Sequence, residues 1–476
     1  MVRLRELAGV DSDSEVTGFA IDHRQVARGS VFGAFKGARF NGEDFIPEAV
    51  TRGAVAVVAR PDATVEKVPH LADPEPRRLF ASLAAKFFAP YPEVAVAVTG
   101  TNGKTSTVEL TRQMWRLGGH RSASIGTLGV TTADDQVKTG LTTPDIVTFL
   151  SNVAGLERMG ISHLAYEASS HGLDQHRAEG VPLAAAAFTN FSRDHLDYHA
   201  DMDTYFLAKM RLFDELLGPD GTAVVWTDDP KSDDVIERVR RRGSRLMTVG
   251  RNGETIRLLD QLPTPLGQTV TLDHAGKTHR LGLPLIGAYQ AANVLVSAGL
   301  VMATGTDFDA TFAAMQRVSP VRGRLERAVI SRGGVPVYVD YAHTGDALEA
   351  AITALRPHVE GRLIIVFGAG GDRDSGKRPE MGAVASRLAD VVIVTDDNPR
   401  GEDPAKIRAE ILAGAPGATE IAGRRDAIAE AITIARAGDI VLVAGKGHEQ
   451  GQIIGAGANQ RVLPFDDVVV ARECAA

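Results

Sequence analysis

The 476-residue chain has one cysteine, Cys474, two residues from its C-terminus. That excludes an intramolecular disulfide and a thiolate metal cluster, and it fits a reducing cytoplasm. Long apolar runs are missing as well: no window of about 18–20 apolar residues occurs, so no membrane-spanning helix is expected. The opening MVRLRELAGVDSDSEV lacks an apolar stretch ahead of its acidic residues, which argues against a secretory leader. Cations are in deficit, 52 Lys and Arg against 60 Asp and Glu, for a formal net charge of −8. This balance opposes long tracts of nucleic acid and anionic membranes, although a local basic pocket can still hold a small phosphorylated ligand. Short-period repeats and low-complexity tracts are absent, which excludes solenoids. The expectation is a cytoplasmic, monomeric protein that works on small molecules, with neither nucleic acid nor membrane as partner.

What is present is the composition of an ordinary globular protein, 44% hydrophobic and 24% charged, in a chain too long for one core and suited to about three domains of roughly 100–200 residues each. Apolar runs at Val16–Ile21, Val31–Phe35 and Ala54–Ala59, divided by Gly-rich turns at Gly37-Ala38-Arg39 and Asn41-Gly42, read as a small mixed α/β domain. Leu79–Phe88 has apolar residues at helical spacing and stops before Pro90 and Pro92, which marks a first boundary. From Val94 the pattern turns to strand then helix, repeatedly: VAVAV, HLAYEA, AAAAFTN, TAVVW and RLMTVG each read as a buried strand. A second alternating series starts near Val335 with VYVDYA, RLIIVFGAGG, VVIVTDDNPR and IVLVAGKG. Both series predict parallel sheets, with the last boundary near 320–330.

In Val94–Ser106 an apolar strand runs through a Gly-rich turn into a helix start, the context of a nucleotide phosphate site. The loop is Thr99-Gly100-Thr101-Asn102-Gly103-Lys104-Thr105-Ser106. Val98 stands where the generic pattern has its first glycine. The mechanics survive, because Gly100 and Gly103 let backbone N–H groups face phosphates, Lys104 supplies a point charge and Thr105 offers a hydroxyl to Mg²⁺. ATP and Mg²⁺ are the expected cofactors. Two further segments can complete a magnesium site. Glu167 ends a buried strand, at the edge where parallel sheets bind ligands. His195 stands in FSRDHLDYH ahead of an apparent helix; alone it reads equally as a capping or core histidine, and Asp194 or Asp197 as helix N-terminal acids.

These segments in this order resemble the Mur ligase family, ATP-dependent enzymes that add amino acids to the peptidoglycan precursor. TGTNGKTS (99–106), EASSH (167–171), SRDHLDYH (192–199), AKMRLF (208–213), GAYQAAN (287–293), RGRLE (322–326), DYAHT (340–344) and GKGHE (445–449) carry the likeness over nearly the whole chain. DNPR at Asp397–Arg400 points within the family to members that add meso-diaminopimelate to UDP-N-acetylmuramoyl-L-alanyl-D-glutamate. The resemblance implies an α/β protein of three domains: a UDP-sugar-binding N-terminal domain (1–88), a central P-loop-type parallel-sheet ATPase domain (89–322), and a C-terminal Rossmann-like domain (323–476) that brings the amino acid.

By the same resemblance, Thr105, Glu167, His195 and Lys209 hold metal. Lys209 matches the family's carbamylated lysine and joins Lys104 and His195 as catalytic; from pattern alone it is a solvated helix lysine. Carbamylation would turn its cation into an anion able to hold a second Mg²⁺, which suits phosphoryl transfer. Asn293, Arg324, Asp340 and His343 match nucleotide contacts. Ser30 would touch the UDP part, and Thr142, Thr143, Ser169, Gln175 and Arg177 the muramoyl dipeptide; without the family, Ser30 and Thr143 are turn residues. Arg373, Asp397, Asn398, Arg400, Gly445 and Glu449 would surround diaminopimelate. That is sensible chemistry, since arginine pairs bidentately with a distal carboxylate, Glu449 can hold the distal ammonium, and Asn398 can bond either group. On its string alone DNPR reads as a strand-ending turn.

GAGGDR at 368–373 begins like a dinucleotide fingerprint, but Arg373 occupies the place of the third glycine, so NAD is not inferred. Three positions depart from the family pattern: His23 in Asp22-His23-Arg24, Arg322 before Gly323, and Gly345 after Thr344. None removes a group the chemistry requires. Two rivals remain open, a folylpolyglutamate synthetase with the same ATPase core and a nucleotide-driven switch.

Overall fold

The computed structural model describes residues 2–37, 40–138, 140–196 and 198–476. Ala38 and Arg39 of the expected turn, and the candidate helix acid Asp197, lie outside the described residues. The chain divides into two compact units, residues 1–257 with 293–314, and residues 258–292 with 315–476.

The first unit opens with four parallel strands, Gly18–Ala20, Ser30–Gly33, Ala56–Ala59 and His70–Ala72, in chain order. Against them packs helix Pro76–Phe88, which starts on a proline and stops one residue short of Pro90. Its inward stripe is Phe80, Leu83 and Ala84, as 3.6-residue periodicity requires. The Phe80 ring meets those of Phe19 and Phe35 edge-on, at 5.1 and 5.4 Å between centroids.

The larger sheet of this unit runs in the order Gln136–Val137, Gly129–Thr131, Ser122–Gly126, His163–Glu167, Val94–Thr99, Leu183–Phe188, Leu217–Trp226, Arg245–Gly250. The six strands from Ser122–Gly126 onward are mutually parallel, and the central ones are buried apart from Val94 and Ala184, which are half-buried. Strand Val94–Thr99 therefore lies between His163–Glu167 and Leu183–Phe188, with Glu167 opposite Val98 and Phe188 opposite Thr99. That register puts the phosphate loop, Glu167 and the chain after Phe188 at one edge. Helix Lys104–Leu117 follows the loop directly.

The second unit carries a six-stranded sheet in the order Glu326–Ile330, Pro336–Asp340, Ile440–Ala444, Leu363–Phe367, Val391–Val394, Thr419–Glu420. All neighbours are parallel except the first pair. Helices Gly345–Leu355, Lys377–Leu388 and Pro404–Leu412 bury Leu348, Met381 and Ile407 in one core. Helices Arg424–Ile434 and Asp467–Ala475 bury Ile428 and Val468 in another that holds the alternate strand residues, Val337, Ile364 and Val441. Asp340 thus ends its strand, and the GAGG loop, DNPR and GKGHE follow strand carboxyl ends.

Residues 267–283 were not expected as strands, yet Gly267–His274 pairs antiparallel with Lys277–Leu283. The turn is Ala275-Gly276, both at positive φ, 51° and 77°. It is a primed hairpin turn with alanine where asparagine or aspartate usually signals one.

Phe80→Ala removes the ring on which this N-terminal core is built. An expected loss of about 3–5 kcal/mol should appear as an earlier unfolding transition in thermal melts followed by circular dichroism.

Candidate active site

Two glycines make the phosphate loop possible. Gly100 and Gly103 have φ of 146° and 84°, and a Cβ at either would run into Thr189 Oγ1 or Asn293 Oδ1 respectively. The loop is tied to the neighbouring strand end: Thr101 N–H donates to Asn190 O at 2.9 Å, Asn102 N–H to Asn190 Oδ1 at 2.8 Å, and the Thr101 hydroxyl to Ser192 O at 3.2 Å. Thr105 and Ser106 are buried at the start of the following helix. Lys104 donates from Nζ to the loop's own carbonyls, Gly100 O at 2.9 Å and Thr101 O at 2.8 Å.

Lys209 is not a solvated helix lysine. Its side chain is buried, its Nζ donates to Gly100 O at 2.7 Å and lies 4.4 Å from the Tyr205 ring centroid. Burial, reinforced by the Lys104 charge, drives its pKa well below the ordinary 10.5. Desolvation of this kind favours the neutral amine over the ammonium form.

Glu167 is buried, with Oε1 accepting the Thr127 N–H at 2.7 Å and Oε2 the Thr127 hydroxyl at 3.3 Å. Its carboxylate occupies the space that a Cβ at Gly126 would fill. Glu167 and Thr105 line one small cavity with Glu109 and Ser124. Among the described residues no group of three or more His, Cys, Asp and Glu side chains could hold a metal by itself. A carboxylate and a hydroxyl at one cavity suit Mg²⁺, a hard ion that arrives with phosphate oxygens and water and needs few protein ligands.

His195 sits in a strained turn at φ 53°, with its ring 4.8 Å from that of His171. Its N–H is held by Asp194 Oδ1 at 2.8 Å. The helix beyond begins only at Met202 and is capped by Asp201, whose carboxylate accepts the Thr204 N–H. The reading of Asp194 as a helix N-terminal acid is therefore corrected; Asp201 fills that role.

The residues expected to meet the dipeptide form one network. Thr143 Oγ1 donates to Glu167 O at 2.8 Å and lies 3.0 Å from Ser169 Oγ, which caps the next short helix by accepting the Gly172 N–H. Thr142 and Thr127 hydroxyls are 3.0 Å apart. Gln175 Nε2 donates to the Tyr198 hydroxyl at 2.9 Å, Arg177 reaches Gln175 Oε1 and Thr143 O, and Tyr198 donates to Asp174. Burial lowers the pKa of both Arg177 and Arg77, and the Arg177 charge lowers that of Arg77 further. Arg77, missed from the sequence, adds a second cation beside Arg177. Ser30 is held inside the N-terminal domain, accepting the Ala27 N–H at 3.1 Å.

In the second unit Asp340 is buried and accepts N–H bonds from Leu325 and Ala342; burial raises its pKa, against the opposing pull of Arg324. Arg324 lies over the Tyr341 ring at 4.7 Å, and His343 Nδ1 donates to Tyr341 O at 2.8 Å. Arg373, Asp397 and Glu449 all act on Tyr341 as well, so the nucleotide and amino-acid candidates of this unit adjoin. Asn398 Nδ2 donates to Glu449 Oε2 at 2.7 Å. Arg400 stands at φ 50°, its N–H on Ile453 O and its guanidinium on Gly371 O. A Cβ at Gly445, φ 114°, would strike Asp397. Non-glycine residues in this conformation cost roughly 1–3 kcal/mol and gather at functional sites. Lys446 and Arg424 were missed: both are buried, Lys446 3.8 Å from Asp397 and Arg424 paired with Asp467 at 2.7 Å. Lys446 lay in plain view within GKGHE; Arg424 had no local signal.

The local departures have plain explanations. His23 stacks on Phe45 at 4.3 Å, Arg322 pairs with Asp466 and Glu326, and Gly345 opens a helix capped by Thr344.

The Mur ligase catalytic-domain family matches residues 15–88, the Mur ligase middle domain 98–301 and the Mur ligase glutamate ligase domain 323–447. The UDP-N-acetylmuramoyl-L-alanyl-D-glutamate--2,6-diaminopimelate ligase of Zymomonas mobilis is 60% identical, over 98% of this chain and 96% of its own. That of Bradyrhizobium diazoefficiens is 49% identical over 98% and 97%. A solved structure of such a ligase superposes with a TM-score of 0.74 at 32% identity, covering 100% of this chain and 98% of its own. A Mycobacterium tuberculosis folylpolyglutamate synthase with ADP shares the fold, with a TM-score of 0.63 at 20% identity over 78% and 91%. The family matched here is one of ATP-dependent amide-bond ligases. The chain belongs to the Mur ligase family and has its three-domain architecture.

Because the Lys209 pKa is depressed on folding, the unfolded chain binds more protons between that lowered value and 10.5. Stability should rise with pH through this window, and burying the amine costs stability at neutral pH. Lys209→Met is expected to raise the melting temperature at pH 7, with the gain shrinking as pH approaches 10.5, as read by differential scanning fluorimetry across pH.

Proposed function

We propose that this chain joins meso-2,6-diaminopimelate to the D-glutamate γ-carboxylate of UDP-N-acetylmuramoyl-L-alanyl-D-glutamate, in cytoplasmic peptidoglycan precursor synthesis, as a monomer. The observation that carries this reading is the mixed-charge cluster of Asp397, Asn398, Arg400 and Glu449 with Arg373 beside it. It suits an amine donor with a second zwitterionic end. A lysine substrate lacks the distal carboxylate and would leave an arginine unpaired.

The reaction has two steps. A γ-carboxylate oxygen attacks the ATP γ-phosphorus, the bond to the β-bridging oxygen breaks, and an acyl phosphate and ADP result. The amine then adds to the acyl carbon, loses a proton, and expels phosphate to leave the amide. Phosphorylation is needed because oxide is not a feasible leaving group. Lys104 and the N–H groups of Gly100–Ser106 are suited to cradle the phosphates, with Asn293 beside Gly103. Bound Mg²⁺, held by Thr105, Glu167 and His195, would supply charge neutralisation between carboxylate and triphosphate.

Lys209 supports its assigned role through the neutral amine its burial favours. Such an amine would add to the carbon of CO₂, forming an N–C bond and releasing one proton, and the resulting carbamate anion would be suited to hold Mg²⁺. Arg177, aided by Arg77, is suited to a carboxylate of the dipeptide. Ser30 would meet the UDP part, and Arg324, Asp340 and His343 the nucleotide.

Purified protein with ATP, Mg²⁺ and both substrates should release ADP, phosphate and tripeptide product; ATP cleavage indifferent to the acceptors would reject the ligase reading in favour of a switch. Replacing the UDP substrate by a folate must give no product. Arg400→Ala is expected to lower kcat/KM for diaminopimelate roughly 100-fold or more while leaving KM for ATP unchanged, measured by coupled ADP release.

A further inference from the structure

We infer that Lys446 is a positioning residue that fixes the side-chain amide of Asn398 in one orientation and thereby sets which amine substrates the site accepts. This rests on the diaminopimelate reading above. The two ends of an asparagine amide have nearly the same shape, so its orientation is decided by its partners. Lys446 is fully buried and its Nζ, which can only donate, gives hydrogen bonds to Asn398 Oδ1 and Gly451 O, each at 2.8 Å. Ile453 N–H donates to the same Asn398 oxygen at 2.9 Å. Both lone pairs of Oδ1 are thus engaged by donors on one side. A flipped amide would turn Nδ2 toward two donors and lose both bonds in a buried setting, which is costly.

Nδ2 therefore points the other way, where one hydrogen goes to Glu449 Oε2 at 2.7 Å. Its second hydrogen can meet only an acceptor, such as a carboxylate oxygen. The freedom to bond either end of the substrate, which the sequence left to Asn398, is removed by Lys446. Lys446 also stands 3.8 Å from Asp397 Oδ1 and 3.5 Å from Glu449 Oε2, so it holds the two neighbouring carboxylates as acceptors. Strand Gly451–Ile454 is pinned by the same network, since Gln452 Nε2 donates to Asp397 O and Arg400 N–H to Ile453 O. One buried ammonium so aligns a donor, two acceptors and the wall behind them.

The test is a double-mutant cycle on kcat/KM with meso-diaminopimelate and L-lysine as alternative amines. Lys446→Met should lower kcat/KM for diaminopimelate roughly tenfold or more and shrink its preference over lysine by a similar factor, with KM for ATP unchanged. In an Asn398→Ala background, Lys446→Met should cost clearly less than it does in the unaltered protein, because the part of its effect that runs through that amide is already lost. Multiplying effects, or an unchanged preference in the single variant, overturn the proposal. If Lys446→Met does not fold, Lys446→Gln enters the same cycle under the same criterion. Failure of the unaltered protein to use diaminopimelate at all would instead refute the substrate reading.

Discussion

Two lysines converge on one carbonyl oxygen, that of Gly100, and most of the first unit is arranged to allow it. Lys104 reaches it from the loop's own helix and Lys209 from a helix more than a hundred residues later. Two full ammonium charges at one buried acceptor would repel, and burial resolves the conflict by depressing the more deeply placed amine. The loop's glycines, the ties from Asn190 to Thr101 and Asn102, and the Tyr205 ring all serve this meeting. The cost of burying this amine is one the unit carries at neutral pH.

The second unit solves a different problem, that of gathering charges in a dry place. Arg424 and Asp467 pair with no exposed surface, and Lys446 lies among Asp397, Asn398 and Glu449. Buried pairs of this kind add little net stability, while breaking one is expensive. They read better as a frame for the segments after the strands than as glue for the fold. Arg378, buried and paired with Glu402 and Glu410, does the same for the GAGG loop by donating to Gly370 O.

The parallel strands and the helices between them were legible because their residues are apolar on both faces and bounded by Gly and Pro. The phosphate loop was legible from Gly100, Gly103, Lys104 and Thr105 in strand-to-helix context, in spite of Val98. Lys209 was not, since a lysine in AKMRLF looks solvated unless one knows that Tyr205 and Gly100 O enclose it. Arg77 and Arg424 were missed because long-range packing sets the surroundings of a charged residue and no local spacing announces it, whereas Lys446 stood within GKGHE and only its burial was hidden. Hairpin 267–283 escaped because Ala275 takes a backbone conformation that its side chain does not advertise.

Arg400 shows what such framing means for how substrate choice can change over evolutionary time. Its left-handed backbone, its N–H on Ile453 O and its guanidinium on Gly371 O bind three separate segments into one shape. Asp372, also left-handed, fastens the GAGG loop to the same turn by accepting the Gly401 N–H. A residue swapped into DNPR alone inherits a conformation made for another side chain. Drift toward a different amine is therefore impeded one substitution at a time, and a lineage that changes its cross-linking amino acid must exchange the tetrapeptide, its facing loop and its covering strand together.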